Sequence, residues 1–274
     1  AGLTTALELA REGEAVTVLE SESIGFGASG RNGGIVSPAF ACGSDAITAR
    51  VGPDKARALH KLTIEGVERL RSHIQTLNIA QAEPIAGLLN LRRFDQVHDL
   101  HAYADEFQRD YGYAFTYLDR NAIQDRLQTT RYLHGLEDPQ ALHIHPLNYL
   151  RALAVEVERL GGKIYEQSPA IGCELETQKR LKTPMGHVSA KRVIFATGGY
   201  TGPLIARLKR AVLPIATYMM VSSPAPDLLA QVIKTKAAIL DDRRASDYYR
   251  MVDGGQRLLW GGRITTRAAN PQGV

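Results

Sequence analysis

The sequence predicts an α/β fold, α+β overall, built from two discontinuous domains. Three observations lead to this prediction. Residues 1–20 show a helix–glycine–strand pattern, and a second such pattern begins near Leu147, after a long mixed insertion. After Pro214 the chain becomes rich in strand-forming residues. Two α/β stretches separated by other sequence indicate one domain interrupted by another, rather than two domains in tandem.

The first helix and strand follow from local periodicity. Apolar residues within positions 3–10 recur at the spacing of one helix face, and Gly13 follows where a helix commonly ends. Residues 15–19 are short and mostly apolar, which predicts a strand buried in a parallel sheet.

Later elements follow from the same periodicities. Residues 53–76 are predicted to be mostly helical, whereas residues 92–132 give no clear boundaries. Residues 147–160 predict a helix, followed by a strand and by two or three short antiparallel strands. We then expect a buried strand at 193–196 and a hairpin around 253–255.

The composition excludes several classes of protein. The 274 residues are 44% hydrophobic and 23% charged, as in an ordinary globular protein. No apolar run is long enough to span a bilayer, and no signal peptide is recognisable at the N-terminus. The net charge of +4 comes from scattered basic pairs without interleaved aromatics, which disfavours nucleic-acid binding. Cys42 and Cys173 are isolated, which favours a reducing, cytoplasmic location.

The beginning of the chain has half of a dinucleotide-binding motif. Gly2 fits the last glycine of G-x-G-x-x-G, so we expect the earlier glycines and the first strand to precede Ala1. Glu20 lies eighteen positions after Gly2, at a strand end where a carboxylate can bind ribose hydroxyls and repel a 2′-phosphate. An ordinary surface helix and strand of another α/β protein is the alternative.

A glycine-rich loop, residues 25–34, strengthens the dinucleotide interpretation. Its sequence, GFGASGRNGG, lets the backbone approach a flat ligand and present N–H groups to phosphate. Arg31 adds a fixed positive charge and Asn32 a hydrogen-bond donor and acceptor. Since an NAD enzyme needs no second glycine-rich loop here, FAD is the predicted cofactor. A flexible linker is the alternative, but an Arg-Asn pair is unusual in one.

Two other motifs are weaker. His143 and His145 could share one metal ion on a strand, but no third ligand cluster is apparent, so no metal site is predicted. Ser29 lies between small residues, but the spacing of a G-x-S-x-G nucleophile elbow is not met.

The sequence resembles the FAD-dependent oxidoreductases of the D-amino-acid oxidase family. It is most similar to the branch of gamma-glutamylputrescine oxidases and glycine/sarcosine oxidases. The blocks that carry the resemblance run over most of the chain and are AGLTTALELA, VTVLE, GASGRNGG, HPLNYLRAL, RVIFATGGY and LLWGGR. GASGRNGG and ATGGY are the specific ones.

The resemblance implies an FAD-binding Rossmann-like domain and a strand-rich substrate-binding domain. The FAD-binding domain would comprise 1–36, without its first strand, and 145–205. The substrate domain would comprise a cap region, 37–144, and a β region, 206–274, that is incomplete at its C-terminus. The 274 residues alone are therefore expected to fold poorly and to bind FAD weakly, and upstream residues to restore binding.

The resemblance also implies roles for individual residues. The expected FAD-binding residues are Gly2, Glu20, Ser21, Ser29, Gly30, Arg31, Asn32, Gly33, Gly34, Ala170, Thr197, Gly198 and Gly199. The expected catalytic residues are Arg31, Tyr249 and Trp260, with Trp260 near the substrate face of the flavin. By strand alternation only one of Tyr248 and Tyr249 can point into the pocket.

The implied reaction is oxidation of a C–N bond. A primary or secondary amine or amino acid becomes an imine, which hydrolyses to an aldehyde or keto acid, and O2 is reduced to H2O2. One alternative is a dehydrogenase that passes electrons to a quinone or another carrier. The other is a truncated, non-catalytic product. The oligomeric state is left open.

Overall fold

The computed structural model describes residues 1–40, 42–95, 97–176, 179–243 and 246–265. The chain forms two compact units. The first comprises Ala1–Arg31, Pro146–Ala216 and the segment from Ile264, and the second comprises Asn32–His145 and Thr217–Arg263. The sequence-based division placed its boundaries after residues 36, 144 and 205. The last nine positions of its final segment, 266–274, lie outside the described residues.

Helices occur in both units. In chain order the described helices are α1 (Gly2–Arg11), α2 (Ser44–Val51), α3 (Pro53–Thr76), α4 (Val97–Tyr111), α5 (Arg120–Arg126), α6 (Pro146–Arg159), α7 (Ala206–Ala211) and α8 (Pro226–Val232). Helix α3 coincides with the predicted helix 53–76. Among the described residues, no helix combines the length and apolar character that crossing a membrane requires.

Strands occur in both units. In chain order they are β1 (Thr17–Leu19), β2 (Ile35–Val36), β3 (Ile85–Arg92), β4 (Thr116–Leu118), β5 (His134–His143), β6 (Lys163–Tyr165), β7 (Gly172–Glu174), β8 (Arg180–Thr183), β9 (Gly186–Ser189), β10 (Ala216–Val221), β11 (Ala238–Asp241), β12 (Tyr248–Val252) and β13 (Arg257–Thr265). The longest of them, β3, β5 and most of β13, lie in the second unit.

The first unit repeats one helix–strand arrangement. Strand β1 pairs in parallel with β6, with Thr17 opposite Lys163 and Leu19 opposite Tyr165. Helices α1 and α6, which precede these strands, pack against each other. Their buried faces are lined by Ala6, Leu7, Ala10, Tyr149, Leu153, Ala154 and Val157. The two helix–strand patterns predicted from the sequence therefore fold as two adjacent helix–strand units, with paired strands and packed helices.

The segment 190–196 differs from the prediction. Strands β7, β8 and β9 form the expected small antiparallel sheet, but residues 193–196 form no strand, and Ile194 is 60% exposed. A strand forms only when a neighbour accepts and donates its main-chain hydrogen bonds, and none of the described strands pairs with this segment. The expectation of a buried strand at 193–196 was wrong for this reason.

The second unit is built on one large mixed sheet. Its strand order is β10-β13-β12-β11-β3-β5-β2, and β4 also pairs with β5. Strand β3 pairs in parallel with β11, and β12 pairs antiparallel with β13 as the predicted hairpin. The short strand β2 places Ile35 opposite His143 on β5, so the glycine-rich loop leads directly into this sheet.

The main core of the second unit covers one face of this sheet. Buried Leu89, Leu91, Ile239 and Tyr249 of the central strands pack with residues of α5, α8 and adjoining loops. A separate aromatic cluster surrounds Phe107 of α4, which is 2% exposed. The opposite face of β12 is left for other contacts, and these define the candidate site.

Helix α6 offers a matched test of the core of the first unit. Leu153 is fully buried, whereas Val155 on the same helix is 66% exposed. We expect Leu153→Ala to lower the free energy of unfolding by about 2–5 kcal/mol, because it removes buried methylenes and leaves a cavity. Val155→Ala should change it by less than about 0.5 kcal/mol. Chemical denaturation measures both, and equal effects would contradict the packing described.

Candidate active site

Glu20 lies at the carboxyl end of β1. Its main-chain N–H donates to Tyr165 O (2.9 Å), and its main-chain O accepts from Ser168 N (2.8 Å), so both sides of the residue are held by the chain after β6. The side-chain Oε1 accepts from Glu22 N (3.0 Å) and from Ser21 Oγ (3.3 Å). These contacts hold the half-buried carboxylate at the strand end and place Ser21 beside it.

Ala170 lies on the segment that runs beside Glu20. The bond from Ser168 N to Glu20 O joins the two segments two residues before Ala170. The main chain then enters the small antiparallel sheet, where Ile171 N donates to Lys182 O (2.8 Å). Ala170 therefore lies between a residue bonded to Glu20 and the first residue bonded to the small sheet.

The N-terminus of α1 lies close to the segment before Thr197. A Cβ atom at Gly2 would stand 3.2 Å from Ala196 Cβ, so the helix begins in near contact with this chain. Thr197 is followed by the exposed turn Gly198–Tyr200, and its Oγ1 lies 2.7 Å from Thr201 Oγ1. Gly2 thus lies beside the segment that leads into Thr197 and the turn Gly198–Tyr200.

The first half of the glycine-rich loop, residues 25–31, folds as consecutive turns. Gly30 N donates to Gly27 O (3.2 Å) and Arg31 N to Ala28 O (3.3 Å). Ser29 is exposed within these turns. The Arg31 guanidinium lies 4.2 Å from the centre of the Phe26 ring, a cation–π contact that restricts its side chain.

The second half of the loop, residues 32–34, is held by hydrogen bonds at one peptide group. Gly33 O accepts from Arg250 Nε (2.7 Å), and Gly34 N donates to Asn32 Oδ1 (2.8 Å). The next main-chain group is also held, since Ile144 N donates to Gly34 O (2.9 Å). Gly34 has φ +70°, and a Cβ there would overlap Ile144 O, so this position requires glycine.

Arg250 is the centre of this network. It is 6% exposed, and its remaining bonds run from Nη2 to Ile144 O (2.8 Å) and from Nη1 to His143 Nδ1 (3.1 Å). Burial holds the pKa of Arg250 below its usual range, and the charge of Glu83 opposes this shift. The guanidinium nevertheless stays charged, because arginine does not lose its proton in proteins.

His143 is a neutral acceptor in this network. Because arginine only donates, Nδ1 must accept, and Nε2 carries the proton that it donates to Lys236 O (2.9 Å). Burial lowers the pKa of His143 to about 4, the bond to Lys236 opposes this shift, and the charge of Arg250 adds to it. Both ring nitrogens are therefore used.

Among the described residues no group of three His, Cys, Asp or Glu side chains is placed to hold a metal.

Tyr248 faces the second half of the glycine-rich loop, at Gly33. A Cβ at Gly33 would stand 2.9 Å from Tyr248 Cδ2, and one at Gly261 would overlap the same ring. Burial raises the pKa of the Tyr248 hydroxyl, and the Thr217 side chain opposes this shift. The ring is thus fixed against backbone that lacks side chains on both sides.

Tyr249 and Trp260 lie on the other face of the sheet. They are opposite each other in the β12–β13 ladder, and their rings stack at 4.5 Å with 4° between planes. Tyr249 is 7% exposed and belongs to the main core, against which Trp260 packs. Burial raises the pKa of Tyr249. The structure does not bring these two expected catalytic residues to the loop, because alternation along β12 turns Tyr248 and Arg250 toward it instead.

The sequence analysis did not identify Arg250 as a site residue, and of the two adjacent tyrosines it selected Tyr249 as catalytic. The available signal was the strand YYRMV, in which a charged residue interrupts an otherwise apolar and aromatic strand. Residues 248 and 250 share a face by the two-residue period. What that face touches could not be read from the sequence, since Gly33 is 217 positions away from Arg250.

Comparisons with known proteins agree on one family. A family model described as FAD dependent oxidoreductase, DAO, matches residues 1–273. The probable oxidoreductase OrdL of Haemophilus influenzae is 34% identical over 271 residues, 95% of this chain and 62% of that protein. The gamma-glutamylputrescine oxidoreductase of Escherichia coli is 33% identical over 275 residues, 100% of this chain and 64% of that protein. The chain thus spans less than two thirds of these relatives.

Solved structures share the fold. L-proline dehydrogenase from P. horikoshii superposes with a TM-score of 0.76 at 18% identity, covering 98% of this chain and 69% of that one. Glycine oxidase from Geobacillus kaustophilus gives a TM-score of 0.69 at 21% identity, covering 96% and 68%. At these identities the likeness concerns the fold alone.

The tolerance of position 34 tests the loop geometry. Gly34→Ala should destabilise the protein by about 2 kcal/mol or more, because the residue has φ +70° and its Cβ would overlap Ile144 O. Gly43→Ala is the control, since a Cβ at Gly43 meets nothing within 4 Å and its φ is −60°. Thermal unfolding compares the two, and a Gly34→Ala protein as stable as the control would refute this loop conformation.

Proposed function

Because the chain belongs to the DAO family of FAD-dependent oxidoreductases, we propose that the protein oxidises the C–N bond of an amine or amino acid with FAD. The observation that carries the proposal is the glycine-rich loop, whose main chain is held under an aromatic ring by a buried arginine. Backbone stripped of side chains and fixed in one conformation suits close approach of a flat cofactor.

The residues of the first unit fit the adenosine and diphosphate parts of FAD. Glu20 stands at the carboxyl end of a parallel strand, with both of its side-chain bonds made at Oε1. Oε2 can then accept a ribose hydroxyl, a role that an acidic residue has at this position of dinucleotide-binding folds. Gly2 opens α1, whose first N–H groups and dipole favour an anion such as the diphosphate.

The glycine-rich loop and its neighbours fit the flavin end. Ser29, Gly30, Arg31 and the Gly33–Gly34 pair are proposed to line the cofactor. Ala170 is proposed to meet the adenine, and Thr197, Gly198 and Gly199 to lie close to the dinucleotide. The Arg31 side chain is positively charged and is restrained by Phe26. It is therefore suited to bind a negatively charged group of the cofactor. Asn32 differs from the others, because its Oδ1 is engaged with Gly34 N.

Bound FAD supplies the two-electron oxidation, and the protein supplies orientation and electrostatics. Tyr248 offers a rigid aromatic wall, since its ring rests on Gly33 and Gly261. The substrate reacts as the neutral amine, so the site does not need a strong general base. We assign the wall to Tyr248 and a packing role to Tyr249 and Trp260.

The proposed substrate is a gamma-glutamylated polyamine or a small N-alkyl amino acid. The support is the 33% identity to the gamma-glutamylputrescine oxidoreductase of Escherichia coli over the whole chain. The proposed product is an imine, which water converts to an aldehyde or keto acid. The proposed electron acceptor is O2, which is reduced to H2O2.

The reaction class is tested on the purified full-length protein, with its cofactor extracted and identified. We expect FAD, bleaching of the flavin absorbance by amines without oxygen, and peroxide release in air. Bleaching that only a quinone or carrier reverses would replace the oxidase by a dehydrogenase. A colourless protein that responds to NADH, or oxidation of alcohols and 2-hydroxy acids alone, would overturn the proposal.

Replacing the carboxylate at the end of β1 tests the FAD assignment. We expect Glu20→Gln to weaken FAD binding about tenfold, roughly 1–2 kcal/mol, because a charge-assisted hydrogen bond becomes a neutral one. Glu14→Gln, an exposed change before β1, is the control. Equilibrium dialysis measures both, and equal retention of flavin would show that Glu20 is only a surface carboxylate.

A further inference from the structure

Arg250 has a position that packing alone does not account for. It is 6% exposed, and among the described residues its hydrogen bonds go to two main-chain oxygens and a histidine nitrogen, not to a carboxylate. Burying a charge is costly unless hydrogen bonds compensate for lost water. The reason for burying this cation must therefore be sought in the main-chain segments that its hydrogen bonds hold.

Two side chains fix a single peptide plane. The carbonyl of the Gly33–Gly34 peptide points to Arg250 Nε (2.7 Å), and its N–H points to Asn32 Oδ1 (2.8 Å). Because a peptide unit is planar, holding its two ends sets its rotation about the chain. Glycine lacks the Cβ that would otherwise restrict this rotation, so the restraint must come from outside the two residues.

The restraint reaches the sheet through His143 and Ile144. Arg250 Nη2 donates to Ile144 O, and Ile144 N donates to Gly34 O, so the loop and the end of β5 are tied to one guanidinium. Neutral His143 accepts from Arg250 and donates to Lys236 O. This arrangement needs a planar fork with donors in three directions, which arginine has and lysine does not.

We propose that Arg250 is a positioning residue of the cofactor site: it sets the orientation of the Gly33–Gly34 peptide that meets FAD. The proposal rests on the proposed function, in which the glycine-rich loop lines the cofactor. Arg250 acts through the loop and not by touching the cofactor. Tyr248, two residues earlier on the same face of β12, rests on the same Gly33, so loop and aromatic wall are set together.

The test compares Arg250→Lys with the wild type in two measurements. The first is amide hydrogen exchange of the loop, which needs no cofactor, and the second is FAD affinity. We expect Arg250→Lys to speed exchange at Gly34 at least about tenfold and to weaken FAD about tenfold, because the charge remains but the fork is lost. The visible spectrum of bound flavin should shift as well.

Arg257→Lys is the matched control. Arg257 lies on the neighbouring strand β13, and its ion pair with Asp253 (3.3 Å) is largely exposed. It should leave loop exchange, FAD affinity and the flavin spectrum unchanged. If Arg250→Lys melts earlier but keeps wild-type exchange at Gly34 and wild-type FAD affinity while folded, Arg250 is only structural and the proposal is overturned.

A second pair of variants applies if Arg250→Lys does not fold. His143→Asn keeps an acceptor near the position of Nδ1, whereas His143→Leu removes it. The proposal requires slower loop exchange and tighter FAD binding in the asparagine variant than in the leucine variant, and equal values would overturn it. Wild-type protein without FAD would refute the proposed function instead, while the exchange measurements would still decide the role of Arg250.

Discussion

The candidate site depends on the hydrogen bonds made by the buried guanidinium of Arg250. Its three acceptors come from distant parts of the chain: Gly33 in the glycine-rich loop, and His143 and Ile144 at the end of β5. A buried charge is unfavourable unless the protein supplies hydrogen bonds to it. These segments therefore cannot separate without exposing the guanidinium or leaving it without hydrogen-bond acceptors. The charge thus ties an otherwise flexible glycine segment to a rigid sheet.

The alternation of side chains along β12 divides its residues between two tasks. Tyr248 and Arg250 face the loop, while Tyr249 stacks on Trp260 within the main core. The stack secures the strand from one side, so the two residues on the other side can hold the loop. A single strand therefore couples the stability of the second unit to the geometry of the candidate site.

Local patterns predicted several elements of both units and less of the site. Helices α1, α3 and α6 and the β12–β13 hairpin follow from spacing and from glycine positions, which act over a few residues. The strand expected at 193–196 did not form, because hydrogen-bonding partners belong to the fold and not to the segment. Tyr249 was favoured over Tyr248 although both lie on one strand, since sequence alternation separates two faces without saying which is the core.

The sequence by itself determined the family and the α/β class, and it predicted a dinucleotide site at Gly2, Glu20 and the loop of residues 25–34. Only the tertiary structure decided that Arg250 holds the Gly33–Gly34 peptide, that His143 is neutral, and that Trp260 packs against the core. The reason is the separation in sequence over which each kind of interaction acts. Periodicity and turn chemistry act between neighbours, whereas a buried charge is satisfied by groups that meet only after the chain has folded.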